Sequence, residues 1–230
     1  MVLATDHTLE HELFTILSPF GVGCFFSRLE IDNKVTPETL FAMRDRIGAS
    51  ASLILPGTKL DMIAYGCTSA AATIGEEEVF SQLSSREEFA LKTTPIASAL
   101  SAFKALNTQR LGLVTPYIGA VNDILIKYIE EQGNLRVTNL VSFNLIKDTE
   151  VARVTEESIK KAAIKVAMMD NVDTVFISCT SLRTKNIVKD VENETGKLVT
   201  SSNMSMAWHI ARKLGIDADI SHMYGKLFSL

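Results

Sequence analysis

Along this chain, short apolar runs alternate with stretches in which apolar residues return every three or four positions. The runs Val2–Thr5, Cys24–Ser27, Met62–Tyr65, Phe89–Lys92, Leu111–Thr115, Val137–Phe143, Thr174–Ser178 and Leu198–Thr200 predict strands, and the stretches between them predict helices. The clearest helix opens on Thr36 as N-cap with Pro37 at the first helical position, where its missing N–H removes no bond. Leu40, Met43, Ile47, Ala51 and Ile54 follow at helical spacing and form its inward stripe. Thr94-Pro95 repeats the start signal before the helical stretch 96–106. Gly133, Gly196 and Gly215 mark helix ends, each suited to the left-handed position that closes a helix. Strand–helix alternation of this kind predicts an α/β fold of parallel sheets covered by helices.

The pattern also repeats. Leu60-Asp61-Met62-Ile63-Ala64-Tyr65-Gly66-Cys67-Thr68-Ser69 is echoed by Val172-Asp173-Thr174-Val175-Phe176-Ile177-Ser178-Cys179-Thr180-Ser181, 112 residues later. Each copy runs from an Asp through an apolar strand and one small residue to Cys-Thr-Ser. A weaker echo pairs Val2–Thr5 with Leu113–Thr115. Two similar α/β lobes facing one another account for this. Ligands of open α/β sheets sit beyond the carboxyl ends of the strands, so both Cys-Thr-Ser turns are expected on opposite sides of one cleft.

Composition removes several classes. Asp and Glu number 27 against 23 Lys and Arg, a net charge of −4 with no basic cluster, which excludes a nucleic-acid binder. No apolar run approaches the roughly 20 residues of a membrane span. Asp6, Glu10 and Glu12 precede the first basic residue, unlike a signal peptide. An odd count of 3 cysteines speaks against a disulfide scaffold and for a reducing, cytoplasmic setting.

A thiol between a strand and a helix lies near free N–H groups and the positive end of the helix dipole, which predicts a thiolate accessible near neutral pH. Flanking Thr and Ser, with their amides, suit a substrate carboxylate or a developing oxyanion. Two opposed thiols can racemise a carbon acid, one removing a proton and the other supplying one to the opposite face. Alternatively, one thiolate adds to an activated double bond, allows rotation and is expelled. Two other readings remain open. The lobes could close on a small acid without chemistry, or the thiols could form a switchable disulfide. Cys24, within Gly23-Cys24-Phe25-Phe26, is expected in the core.

Over essentially its whole length the chain resembles the aspartate/glutamate racemase superfamily. The similarity is to the branch of maleate cis–trans isomerase, arylmalonate decarboxylase and the racemase-like ectoine-utilisation proteins. It rests on the segment 2–10, Val35-Thr36-Pro37-Glu38, Gly66-Cys67-Thr68-Ser69, Val114-Thr115-Pro116-Tyr117 with Asn122, Ser178-Cys179-Thr180-Ser181, and Ser201-Ser202-Asn203 before Trp208. The resemblance implies two flavodoxin-like lobes in pseudo-twofold relation with the site between them. The first comprises 1–106 and the returning segment 204–230, the second 107–203. It implies Cys67 and Cys179 as the catalytic pair, no cofactor or metal, a small carboxylic acid as substrate, and a homodimer. Thr68, Ser69, Thr180 and Ser181 fall where relatives hold substrate carboxylates, and Tyr117 matches a tyrosine of the maleate isomerases. The decarboxylases resemble this chain but have Gly at the first Cys, so two thiols favour an isomerase or racemase over a decarboxylase. By analogy with the maleate isomerases, Cys67 is the expected nucleophile. Asp6 stands where maleate isomerases carry Asn. An ionised Asp repels a carboxylate and accepts from an ammonium group, which points to an amino-acid-like or otherwise altered substrate. The chain also starts inside its first strand, short of residues that relatives carry before it.

Of the remaining polar residues, His209 reads as structural, His222 as exposed, and Glu76-Glu77-Glu78 as a solvated helix start. His7 reads as either site lining or surface. Arg183 reads as a surface charge, with a carboxylate clamp as the alternative. Asn122 and Asn203 are candidate cleft groups, Asn203 also a candidate N-cap.

Overall fold

A computed structural model describes residues 1–230. Its strands are β1 Val2–Leu3, β2 Arg28–Leu29, β3 Met62–Ala64, β4 Leu91–Thr93, β5 Arg110–Thr115, β6 Arg136–Ser142, β7 Thr174–Ile177 and β8 Leu198–Ser201. The helices are α1 Leu9–Leu17, α2 Pro37–Ala42, α3 Ile47–Ser52, α4 Thr68–Ile74, α5 Glu76–Ser84, α6 Pro95–Ala105, α7 Gly119–Gly133, α8 Asp148–Val151, α9 Glu156–Ala167, α10 Val188–Thr195, α11 Ser202–Lys213 and α12 Ser221–Tyr224. None is long and apolar enough to cross a membrane.

All strand pairs are parallel, as helical crossovers require. In the second half they form one sheet in the order β6-β5-β7-β8. In the first half β1 pairs with β2, β3 pairs with β4, and a single bridge between Val2 and Gly66 joins the two pairs into the order β2-β1-β3-β4. The two orders are the same when β1–β4 are matched to β5–β8, so the protein is two lobes of one design. A glycine is required at residue 66, where β1 closes on the turn before Cys67. A Cβ there would lie 2.5 Å from the Leu9 side chain and 2.6 Å from the Met1 carbonyl. One apolar cluster of 61 buried residues runs through both lobes. The helix α11 follows β8 yet packs on α6 and α1, which ties the end of the second half back to the first.

Local signals placed most elements. Thr36 accepts from the Thr39 N–H and Thr39 returns the bond to the Thr36 N–H, a capping box closed by hydroxyls. Thr94 accepts from the Ala97 N–H at the head of α6. Gly196 (φ 69°) and Gly215 (φ 76°) are left-handed as expected. Five expectations need correction. Gly133 is the last residue of α7, and Asn134 takes the left-handed position at φ 48° because its side chain tolerates it. The helix from Pro37 is not continuous: α2 and α3 are separated by a tighter turn over Met43–Arg46, although Leu40, Met43, Ile47, Ala51 and Ile54 are all buried. Segment 24–27 belongs to no strand, although the Ser27 carbonyl accepts from the Val2 N–H, and β2 begins only at Arg28, because β1 offers ladder partners to Arg28 and Leu29 alone. Cys24 is accordingly half-buried rather than core. The exposed Phe89 likewise precedes its strand, which starts at Leu91.

His209 is buried on α11, and its Nδ1 lies 3.1 Å from both Thr93 Oγ1 and Ser98 Oγ. Burial, with Lys213 adding repulsion, holds its pKa below the usual imidazole value. A histidine that resists protonation when folded but not when unfolded favours the unfolded state as pH drops below about 6.5. Thermal melts between pH 7.5 and 5.5 should therefore show Tm falling, and His209→Asn should flatten that slope.

Candidate active site

Cys67 ends the β3 segment as the N-cap of α4, and Cys179 ends the β7 segment at the equivalent place. Both are buried and both line one small cavity with Leu3, Tyr117 and Asp148. Cys67 has ordinary extended backbone angles, whereas Cys179 sits at φ 138°, a region a side-chain-bearing residue adopts only under constraint. The constraint is visible. The Cys179 N–H donates to Ser202 Oγ (3.1 Å), which shares a 2.8 Å bond with Thr68 Oγ1 in the opposite turn. Thr180 Oγ1 donates back to the Gly66 carbonyl (3.3 Å). The two Cys-Thr-Ser turns are thus bonded to each other, head to head.

These bonds divide the predicted hydroxyls. Thr68 and Thr180 are engaged in holding the turns together. Ser69 Oγ is 3.7 Å from Cys67 Sγ, and Ser181 Oγ is buried with no partner in the protein. The Tyr117 hydroxyl faces both Cys179 and Ser69. Asn122 positions that loop, accepting from Thr115 Oγ1 (2.6 Å) and donating to the Tyr117 carbonyl (2.9 Å).

Asp6 is buried beside the cavity. One carboxylate oxygen caps α1 by accepting from the Thr8 and Leu9 N–H groups at 2.7 and 2.9 Å, and the other, Oδ2, has no partner. His7 is exposed. Arg183 donates to the Val154 carbonyl at 2.6 Å, away from the cavity. His222 is exposed, while Glu76 is tied to Thr94 Oγ1 at 2.7 Å rather than free in solvent. Asn203 is not a cap: Ser201 caps α11 by accepting from the Met204 N–H, and the Asn203 amide donates to Glu12 Oε2 (2.7 Å) and the Thr180 carbonyl (3.0 Å).

Three residues escape sequence reasoning. Asp148, at the head of α8, is buried against both thiols and accepts from Thr5 Oγ1; nothing in Lys147-Asp148-Thr149-Glu150 distinguishes it from a surface run. Ser202 bridges the turns and had a signal only in the Ser201-Ser202-Asn203 motif. Glu12 is buried and accepts from the Thr184 N–H, the Lys185 N–H and Asn203, pinning α1 to the segment after Cys179. Its signal was present: Glu12 lies on the stripe of Leu9, Leu13 and Ile16, where a charge needs partners.

The expectation of an accessible thiolate does not hold in this structure. Burial pushes the Cys67 thiol up to about 12, outweighing the Ala70 N–H and Ser69 hydroxyl that favour the thiolate, with Asp148 and Asp6 raising it further. Cys179 is pushed up for the same first reason, with Asp148 next, against the Ser181 N–H and Tyr117. Burial likewise raises Asp148 itself. Desolvation wins because the cavity is only about 10 Å³, room for a single water. A bridge over it links the lobes: Val35 N–H donates to the Ile146 carbonyl (2.7 Å) and Asp148 N–H to the Asn33 carbonyl (3.0 Å). A substrate of several carbons requires that bridge to part.

Neutral thiols react slowly with alkylating agents. At pH 7 iodoacetamide should modify the half-buried Cys24 first, with Cys67 and Cys179 following only as pH rises; peptide mapping by mass spectrometry reads the order.

The fold and site define a two-lobed, pseudo-twofold α/β protein that brings one thiol from each lobe to a common cavity. Residues 34–228 match the arylmalonate decarboxylase family, and the chain belongs to it. It is 27% identical to a maleate isomerase of Nocardia farcinica over 94% of this chain and 89% of that protein. It is 29% identical to an arylmalonate decarboxylase of Bordetella bronchiseptica over 99% of this chain and 91% of that protein. Among solved structures it is similar to a cysteine-to-serine mutant of the Nocardia farcinica maleate cis–trans isomerase with a covalently bound succinylcysteine intermediate. That likeness has a TM-score of 0.86 and 25% identity, covering 99% of this chain and 96% of the other.

Proposed function

We propose that the protein is a cofactor-independent isomerase or racemase of a small carboxylic acid, with Cys67 and Cys179 as the two reacting groups. The observation that carries this reading is the pair of thiols at equivalent strand ends of one closed cavity. In racemisation one cysteine, as thiolate, takes the α-proton, and the electron pair spreads into the adjacent carboxylate. The other, as thiol, delivers its proton to the opposite face. The substrate carboxylate meets Ser69, Ser181 and the turn amides.

The charges around the cavity bear on the substrate. Asp6 and Asp148 are its charged neighbours, and no Lys or Arg lines it. Both carboxylates oppose thiolate formation. An ammonium group beside Asp148 cancels that opposition, so an α-amino acid activates the site as it binds, whereas a dicarboxylate adds repulsion. A second reading is favoured by the succinylcysteine intermediate of the similar maleate isomerase. In it the Cys67 thiolate adds to a cis double bond, the new single bond rotates, and elimination restores the thiolate and releases the trans acid.

Proton NMR in deuterium oxide separates these. Loss of the α-proton signal of aspartate or glutamate, with matching racemisation, supports the proposal. Conversion of maleate to fumarate with amino acids untouched keeps the isomerase and removes the ammonium argument. Decarboxylation of an arylmalonate alone overturns both.

A further inference from the structure

The two thiols occupy equivalent places, yet their backbones differ. Cys67 is extended, at φ −144° and ψ 115°, while Cys179 sits at φ 138°. The Cys67 N–H makes no hydrogen bond within the protein, whereas the Cys179 N–H donates to Ser202 Oγ at 3.1 Å. Both turns read Cys-Thr-Ser, so the difference comes from outside them.

The helices that follow the last strand of each lobe supply it. Thr94 caps α6 by accepting from the Ala97 N–H at 3.0 Å, and Ser201 caps α11 by accepting from the Met204 N–H at 3.2 Å. With the caps matched, Ser202 stands where the first lobe has Pro95, each the buried first residue of its helix. Proline offers neither a hydroxyl nor an N–H, so nothing at that position can bond the backbone of the Cys67 turn. Serine offers a hydroxyl, and Ser202 uses it twice. It accepts from the Cys179 N–H and shares a 2.8 Å bond with Thr68 Oγ1. The helix itself has no need of this side chain, because Ser201 is the cap and alanine is the better helix former. A buried hydroxyl satisfied on both sides by the two thiol-bearing turns holds them in one fixed relation.

We propose that Ser202 is the positioning residue of Cys179: its hydroxyl holds that turn at φ 138° and, through Thr68, ties it to the turn of Cys67. The proposal rests on the reading of Cys179 as a reacting group. Because Pro95 gives Cys67 no such hold, the two thiols are not interchangeable, and loss of the Ser202 hydroxyl acts on one of them. In racemisation each thiol exchanges a proton at its own face of the α-carbon. Misplacing a reacting group by a single ångström can cost about 10²-fold, and here that cost falls on the Cys179 face alone.

The test compares Ser202→Ala with Ser205→Ala. Both variants place alanine in α11, and both remove a fully buried hydroxyl. The Ser205 hydroxyl bonds Thr200 Oγ1 at 2.9 Å and neither cysteine turn. The first readout needs no substrate: alkylation by iodoacetamide at pH 9, mapped by mass spectrometry. In Ser202→Ala the released turn relaxes, and modification of Cys179 relative to Cys67 should rise by about tenfold as that thiol gains solvent. In Ser205→Ala the ratio should stay at the parent value. The second readout is solvent-deuterium exchange at the α-carbon of each enantiomer of the substrate found by the NMR screen. Ser202→Ala should slow exchange of one enantiomer by about 10²-fold and leave the other within about threefold, with KM little changed. For a cis-alkene diacid the matching signature is a thioether accumulating on Cys67. Equal loss with both enantiomers marks a merely structural hydroxyl and overturns the proposal, as does an unchanged alkylation ratio. A parent protein inactive on every acid of the screen removes the functional reading instead, and the alkylation ratio then decides the positioning role by itself.

Discussion

Replacing either Cys67 or Cys179 by serine should lower kcat on the substrate found by the NMR screen by about 10²–10⁴-fold, the range expected for loss of a positioned proton-transfer group. A serine hydroxyl occupies nearly the same volume, so the cavity and the bond from the Cys179 N–H to Ser202 persist, and Tm should stay near that of the parent. The two variants should differ in kind. In racemisation, each loses transfer at one face of the substrate, so each is expected to retain solvent exchange with one enantiomer. In covalent isomerisation only the attacking thiol is indispensable to adduct formation, and the Cys179→Ser variant should accumulate a thioether on Cys67 visible by mass spectrometry. Because burial sets Cys67 at about 12 and Cys179 high as well, the free enzyme is almost wholly in its dithiol form at neutral pH. The active form is the thiolate, so log kcat/KM should climb with pH from 7 through 9 without a plateau. Wild-type rates in either variant, or a flat profile, would remove the two-thiol chemistry.

The second large effect is on stability. Glu12→Ala is expected to destabilise the protein by about 3–5 kcal/mol, since it strands several buried donors at once. Those donors are the Thr184 N–H at 2.8 Å, the Lys185 N–H at 2.9 Å and the Asn203 amide at 2.7 Å. For a chain of this size that corresponds to a Tm lower by about 10 °C. Glu12→Gln keeps one oxygen for the two backbone N–H groups and should lose markedly less. The measurement is denaturant or thermal unfolding of both variants. A change below 1 kcal/mol for the alanine variant, on the order of an ordinary surface substitution, would show that water replaces the carboxylate. Glu12 also joins α1 of the first lobe to the chain just beyond Cys179, so the alanine variant should lower kcat in addition to Tm.

Much of the architecture was written locally. Thr36-Pro37 and Thr94-Pro95 start helices because a hydroxyl before a proline both caps the free N–H groups and presets the first turn. Seven of the eight apolar runs overlap strands, six of them nearly as expected, because burial on both faces demands continuous apolar sequence. The duplicated Cys-Thr-Ser turn was readable because a strand followed by one small residue delivers the next side chain at the strand's carboxyl end, although a helix starts directly only after Cys67. The second strand was displaced from 24–27 to Arg28–Leu29 because pairing depends on a neighbour, and β1 offers only two rungs.

The site was legible in its chemistry and not in its electrostatics. Helix-start amides next to each thiol predict an easily formed thiolate; Ala70 supplies one from α4 beside Cys67, whereas beside Cys179 the Ser181 amide comes from a turn, because no helix starts before Val188. What reverses the outcome is desolvation by residues from distant parts of the chain and by carboxylates that reach the cavity from segments 3–8 and 145–149. Asp148 lies far in sequence from both thiols, and the bonds that hold the strained backbone of Cys179 pass through Ser202. By itself, then, the amino-acid order determined what is local: the helix starts, the alternation, the repeated turn and the two thiols it delivers. The tertiary structure alone decided the protonation of those thiols, the partners of Glu12 and the bonds that lock the two Cys-Thr-Ser turns together. The physical reason is that burial and charge sum over everything within a few ångströms in space, whatever its distance along the chain.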